Sequence, residues 1–371
     1  MNDYGLDLPD YPWDALAPSR ARAAEHPGGV GDLSIGTSVD PTPQVVQAAL
    51  AAGADSHGYP TTTGTPELRQ AIADWYATWR GVTVDPATQV LPTVGSKELV
   101  AWLPTLLGLR QRGLRIAAPA AAYPTYEMGA TLAGVDAVRL DAADMAAGAS
   151  LEGIGLVWLN SPGNPTGAVL SREELAAVVA RTREAGVVLA SDECYALLNW
   201  DGEEAVPSIL DPAVAGDSHD GLLSVYSLSK QSNLAGYRAS WVAGDSDLVG
   251  NLTTSRKHAG MIVPGPVQTA MIAALTDTAH VVAQKEIYRR RRETLAKAVE
   301  SFGLRIDHSV AGLYLWATRD EDCWETIGAL ADHGIIAGPG IFYGEAGARH
   351  VRIALTASDE RIDEAARRLT A

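Results

Sequence analysis

The sequence predicts an α/β fold, with a large domain built on a mostly parallel sheet covered by helices on both faces and a smaller α+β domain beside it. Three observations carry this expectation. Seven short apolar runs, Val90 to Val94, Leu114 to Ala118, Ala137 to Leu140, Leu156 to Leu159, Val187 to Ala190, Leu223 to Tyr226 and Trp241 to Ala243, read as buried strands. Helical stretches separate most of them, and strand, helix, strand in this rhythm favours parallel pairing. After a basic helical segment, Tyr288 to Arg292, the pattern changes to a strand-and-helix module comprising Gly312 to Thr318, Trp324 to His333, Val351 to Leu355 and a last helix to Ala371. The expected division is an arm and part of the smaller domain over 1–40, the large domain over 41–284 and the smaller domain over 285–371.

Taken in order, the residues up to about 35 are rich in Pro, Gly, Ala and charge, with Tyr11 and Trp13 as anchors for an arm lying on another surface, which could be a second subunit's. Gly36-Thr37-Ser38-Val39-Asp40-Pro41-Thr42-Pro43 is a turn-rich loop leading into a helix that should end near Gly53. Thr65 reads as an N-cap with Pro66 at the first helical position, and Leu68, Ile72, Trp75 and Trp79 follow at helical spacing as core residues. Ser171 and Glu174 form a capping-box signature for a helix stopping at Gly186.

The 371 residues, 47% hydrophobic and 20% charged, suffice for a large core. A net charge of −16 argues against nucleic-acid or anionic-membrane partners, which need a basic surface. Two cysteines without paired spacing, Cys194 and Cys323, suggest neither a disulfide framework nor a thiolate metal site, and the eight histidines have no metal-ligand spacing. With no leader-like or spanning apolar run, a cytoplasmic location is expected.

Ligands of a parallel sheet collect outside the carboxyl ends of its strands, and the chemistry-bearing residues of this chain follow the apolar runs. Gly95-Ser96-Lys97 opens a helix whose N–H groups could receive a phosphate. Tyr123-Pro124 offers a ring for stacking. Asn160-Ser161-Pro162-Gly163-Asn164-Pro165-Thr166-Gly167 follows the fourth run and Ser191-Asp192-Glu193-Cys194-Tyr195 the fifth. Ser227-Leu228-Ser229-Lys230 follows the sixth, with Arg238 eight positions beyond the lysine. A lysine amine at the end of a buried strand can become a nucleophile toward carbonyls, and an arginine with two serine hydroxyls can clamp a dianion. Each motif alone has a plainer reading: a helix start, a turn, a cap or a core aromatic. Ser-x-x-Lys also matches a serine-hydrolase signature, but its Lys-Thr-Gly and Ser-Asp-Asn partners are missing from the chain.

Taken together, Asn164-Pro165-Thr166-Gly167, Asp192 with Tyr195, the Lys230 run with Arg238, and Arg352 in Val351-Arg352-Ile353-Ala354 resemble the class I aminotransferases of pyridoxal-phosphate fold type I. The resemblance runs in order from the Gly36 loop to the C-terminal helix. It implies pyridoxal 5′-phosphate as cofactor, amino acids and 2-oxo acids as substrates, and a homodimer with shared active sites. It further implies that Lys230 holds the cofactor and moves the proton at the substrate Cα, that Asp192 pairs with the ring nitrogen, and that Asn164 and Tyr195 face the phenolic oxygen. Tyr123 would stack on the ring, although the family places this aromatic two residues after a proline and here it stands four after Pro119. Gly95, Ser96, Lys97, Ser227, Ser229 and Arg238 would hold the phosphate, with Tyr59 from the neighbouring subunit. Arg352 would bind the substrate carboxylate, with Asn164 beside it and the Gly36 loop closing over it. More narrowly, Tyr123 to Glu127, Ser229 to Arg238, His258 to Gln268 and Ala311 to Trp316 are similar to the actinobacterial type of N-succinyldiaminopimelate aminotransferase. That likeness implies a polycarboxylate substrate needing cations beyond Arg352, with Lys97, Arg256 and Lys257 as candidates. Other aminotransferases or a C–S lyase of the same fold are alternatives. A non-catalytic relative would have no use for the whole set.

Overall fold

Each of the seven apolar runs forms a strand in the computed structural model, which describes residues 5–6, 8–200 and 206–371. The strands are β1 (Val90–Val94), β2 (Arg115–Ala118), β3 (Ala137–Arg139), β4 (Ile154–Asn160), β5 (Val188–Asp192), β6 (Leu222–Ser227) and β7 (Ala239–Gly244). They form one sheet in the order β1-β7-β6-β5-β4-β2-β3, in which β7 is antiparallel to both neighbours and the other pairs are parallel. The link over 228–238 is too short for a parallel crossover of a dozen or more residues, so the chain turns back beside β6. That link carries Lys230.

Four strands, β4 to β7, extend further at their carboxyl ends than the apolar runs indicate. Asn160, Asp192 and Ser227 are final strand residues rather than loop residues, because pairing continues through Asn160↔Asp192, Asp192↔Val225 and Ser227↔Ser240. Three polar side chains are thus fixed by the sheet itself along one edge.

Both faces of the sheet are covered. Val157, Leu189, Tyr226 and Trp241 pack with Leu68, Ile72 and Trp75 of the helix Pro66–Arg80, whose Thr65 cap accepts from the Leu68 N–H at 3.1 Å. Leu156, Trp158, Leu223 and Val225 pack on the other face with Leu99 and Leu103 of the helix Ser96–Leu106 and Tyr126 of the helix Thr125–Ala133. The helix Arg172–Ala185 has the expected capping box and ends at Gly186, whose φ of +65° suits glycine. A second sheet joins Gly338–Pro339, Val351–Ala354, Tyr314–Thr318 and Arg305–Ile306, all antiparallel, and has its own core with Leu295, Leu313, Leu315 and Ile353.

The arm's first four residues and residue 7 lie outside the described residues, and from Pro12 onward it packs on its own chain. Trp13 packs on Phe342 with ring centroids 5.2 Å apart, Leu16 and Ala23 are buried, and Gly31–Asp32 pairs in parallel with Ile335–Ile336. The basic run Tyr288 to Arg292 lies within the helix Ala279–Ser301, where Arg291 points inward and is buried against Asp40 and Asp359.

Candidate active site

Asn160 and Asp192 stand side by side where β4 and β5 end, and Asn160 organises the turn beyond them. Its Nδ2 donates to the carbonyls of Asp192 (2.8 Å) and Pro162 (3.0 Å), and its Oδ1 accepts from the Asn164 N–H at 2.7 Å. The Asp192 carboxylate is buried. One oxygen accepts from Tyr126 Oη at 3.1 Å, the other from the Cys194 N–H at 3.2 Å. Burial raises its pKa, outweighing those hydrogen bonds, and no ion pair joins it to another side chain among the described residues. A carboxylate buried in this way suits a cationic nitrogen.

The link after β6 begins with a short helix, Leu228–Gln231, capped by Ser227, whose Oγ accepts from the Ser229 N–H at 3.2 Å and lies 2.8 Å from Ser229 Oγ. Lys230 Nζ donates to the Gly36 carbonyl, so the lysine and the Gly36 loop meet. Arg238 has a left-handed backbone (φ +55°) and donates through Nη1 to the Ala235 carbonyl at 2.8 Å. Its guanidinium stands directly over Gly95, where a Cβ would lie 2.0 Å from Nη2. With φ at +82° as well, Gly95 has two reasons to lack a side chain. It caps the helix Ser96–Leu106, whose free N–H groups begin beneath the arginine.

Arg352, 5% exposed, pairs with Trp316 and Gly338 in the smaller sheet and reaches toward the edge of the larger one. Nη1 donates to Asn164 Oδ1 at 3.0 Å and Nη2 to the Ser34 carbonyl at 2.8 Å, while its Cζ lies 3.9 Å from the centre of the Tyr314 ring and 4.9 Å from that of Tyr343. Nε is buried without a hydrogen-bond partner. Tyr195 Oη lies 3.2 Å from Tyr314 Oη. Tyr123 is half-buried with its ring edge-on to Tyr126 at 5.8 Å, and burial pushes its phenol up to about 12.

The structure therefore gathers Gly36, Gly95, Ser96, Tyr123, Asn164, Asp192, Tyr195, Ser227, Ser229, Lys230, Arg238 and Arg352 around the carboxyl edge. Lys97 is exposed at the first helical turn and Tyr59 is fully exposed; no hydrogen bond ties either to the others among the described residues. Arg256 is withdrawn as a substrate cation, since Glu98 holds both its terminal nitrogens at 2.8 and 2.9 Å and it is completely buried. Asn160, Tyr126, Tyr314, Tyr343 and Ser34 also stand at the site, although the sequence alone assigns none of them a role there. Tyr126 follows Tyr123 by one helical turn, a spacing that could have flagged it.

Residues 29–369 match the family model described as aminotransferase class I and II. The chain is a class I/II aminotransferase. It is 53% identical over 98% of its length, and 99% of the relative's, to the 4-dedimethylamino-4-oxo-anhydrotetracycline transaminase OxyQ of Streptomyces rimosus. It is 34% identical to an LL-diaminopimelate aminotransferase of Aquifex aeolicus, over 98% of this chain and 96% of the relative. Among solved structures, an aminotransferase of Neisseria meningitidis superposes with a TM-score of 0.87 at 30% identity, covering 98% of this chain and 97% of that one. A probable N-succinyldiaminopimelate aminotransferase of Thermus thermophilus superposes with a TM-score of 0.83 at 26% identity, covering 97% of this chain and 99% of that one. Aminotransferases of this family and fold type are pyridoxal-phosphate dependent, and the residues of this chain fit that group. A buried carboxylate without a cation suits the ring nitrogen. The side-chain-free approach at Gly95 beneath Arg238, at a helix start, suits the phosphate, and Lys230 supplies an amine.

Proposed function

We propose that this aminotransferase exchanges the amino group of N-succinyl-diaminopimelate with 2-oxoglutarate, through two half-reactions at Lys230. When bound, the cofactor supplies an electron sink for the pair left at the substrate Cα. Asp192 keeps the ring nitrogen protonated, which its burial without a cation of its own supports. Lys230 would hold the cofactor and, once free, would move the proton at the substrate Cα. Asn164 has its Oδ1 engaged by Arg352, which leaves its Nδ2 to donate to the phenolic oxygen beside Tyr195. Tyr123 covers the ring face. Backbone N–H groups of Gly95, Ser96 and Lys97, the hydroxyls of Ser227 and Ser229, and Arg238 hold the phosphate. Tyr59, fully exposed in the single chain, reaches the phosphate of a second copy in a homodimer, and sedimentation as a dimer checks that arrangement.

The observation that carries the substrate class is the Arg352 fork. Its terminal nitrogens rest on neutral acceptors, Asn164 Oδ1 and the Ser34 carbonyl, its Cζ lies 3.9 Å over the Tyr314 ring, and a carboxylate is the partner such a fork is shaped to take. The diaminopimelate names among the relatives support the longer, polyanionic substrate. Lys97 is a cation at the same edge for a distal carboxylate. The relative named for an oxo-anhydrotetracycline favours a second reading, in which the acceptor is a bulky cyclic ketone. The two are separated by following the cofactor absorbance against a panel of donors and acceptors. Rapid conversion by N-succinyl-diaminopimelate is expected. Turnover with ordinary amino donors and a cyclic ketone, but none with the succinylated substrate, would replace the first reading by the second.

A further inference from the structure

Tyr314 is the residue in which the carboxylate fork and the cofactor-facing phenol meet. Its ring carries the Arg352 guanidinium at 3.9 Å, and its hydroxyl lies 3.2 Å from that of Tyr195. The chain makes room for this hydroxyl, since a Cβ on Gly36 would stand 2.0 Å from Tyr314 Oη. Gly36 also supplies the carbonyl on which Lys230 rests, so loop, lysine and phenol adjoin one another. A buried tyrosine that only filled space would need neither the clearance at Gly36 nor a second phenol at hydrogen-bond distance.

We propose that Tyr314 is a positioning residue that reports occupancy of Arg352 to Tyr195. The proposal rests on the roles given above to Arg352, Lys230 and Tyr195. With the fork empty, the full positive charge against its ring makes Tyr314 the more acidic phenol and the better donor, so it donates to Tyr195, whose own O–H is free to face the phenolic oxygen of the cofactor. A carboxylate on Arg352 cancels that charge. Tyr314 then becomes the better acceptor, and Tyr195 donates to it, withdrawing its O–H from the cofactor's phenolic oxygen. Each phenol keeps its proton throughout, and only the direction of the shared hydrogen bond changes.

The surroundings agree with this order. The charged and titratable groups facing Tyr314 are Arg352 from the adjacent strand, Lys230 from the helix after β6, and the phenols of Tyr195, Tyr123, Tyr288 and Tyr343. Burial resists ionisation of Tyr314, but Arg352 and Lys230 outweigh it and pull its phenol below the ordinary value. Burial pushes Tyr195 well above its ordinary value, so Tyr195 is the one that holds its proton more tightly.

The test is a pH titration of the bound-cofactor absorbance in the holoenzyme, with and without saturating glutarate, a dicarboxylate that has no amino or oxo group to react. In the unsubstituted protein glutarate should move the midpoint by at least ~0.5 pH unit, as expected when a charge near a titrating group is neutralised. Tyr314→Phe keeps the ring on Arg352 and removes the hydroxyl. It should retain full cofactor, lose at least half of the glutarate shift, and lower kcat with the donor KM unchanged within about twofold. Tyr314→Leu should raise KM as well. Gly36→Ala, which crowds the hydroxyl without deleting it, should reproduce the reduced shift and serves if the Tyr314 variants do not fold. Equal glutarate shifts in the unsubstituted protein and in either Tyr314→Phe or Gly36→Ala would overturn the role of Tyr314. Absence of any shift in the unsubstituted protein would instead overturn the assignments of Arg352 and Lys230 on which it rests.

Discussion

At Gly95 one methyl group separates a phosphate cradle from a collision. A side chain there would meet Arg238 at 2.0 Å and force a left-handed backbone on a residue that tolerates it poorly. Gly95→Ala should weaken cofactor binding by about tenfold or more, in line with the roughly 1–3 kcal/mol such backbone strain costs. Fluorescence titration of the apoenzyme with pyridoxal 5′-phosphate measures it, and unchanged affinity would remove Gly95 and Arg238 from the phosphate site. Arg352→Lys tests the other end of the site. A lysine cannot present two parallel donors or lie flat on Tyr314. It should leave the cofactor absorbance intact and raise the donor KM about 30-fold or more, matching the ~2 kcal/mol lower bound for loss of a buried charged hydrogen-bonding partner. A KM within a factor of about two would assign the substrate carboxylate elsewhere.

Between elements, the Gly36 loop is tied down by a buried network. Arg291 grips Asp40 with two bonds of 2.7 Å and Asp359 with one of 2.6 Å. Gln284 donates to the same Asp40 carboxylate at 2.8 Å and accepts from Asn233, in the link after Lys230, also at 2.8 Å. One carboxylate therefore couples the loop over the site, the helix Ala279–Ser301, the C-terminal helix Asp359–Thr370 and the lysine link. Asp40→Ala should cost about 3 kcal/mol in urea unfolding at pH 7, because it leaves a buried guanidinium short of a partner. The acid dependence has a definite sign. Burial opposes ionisation of Asp40, but Arg291 and Gln284 outweigh it and lower its pKa from the ordinary 3.8. Its stabilisation is thus complete above pH 3.8 and drains away as the pH falls through the depressed value. The stability gap between the two proteins should be wide at pH 7 and shrink below that point, and a gap independent of pH would show that the charge of Asp40 does not matter.

Across the whole molecule, the strands were legible because apolar runs bounded by Gly and Pro leave few alternatives, and the strand ends pointed to Asn164, Asp192 and Lys230. Other features were not legible for physical reasons. A run buried on both faces looks the same in either direction, so the antiparallel course of β7 is visible only from the short link before it. Trp13 announces an anchor without naming its partner, which is Phe342 on the far side of the chain. Tyr126 and Tyr314 carry no site signal of their own in the sequence because their hydroxyl partners, Asp192 and Tyr195, lie on segments remote in sequence. Arg256 reads as a free cation until Glu98 is brought beside it. Among the described residues no helix is long and apolar enough to cross a membrane.

The central claim is that all of this architecture serves the amine of Lys230. It is tested most directly by reducing the purified protein with borohydride in the presence of pyridoxal 5′-phosphate and mapping the modified peptides by mass spectrometry. The expected result is a single reduced cofactor adduct on Lys230, absent from Lys230→Ala. An adduct on another lysine, or none at all in protein that retains activity, would contradict the account.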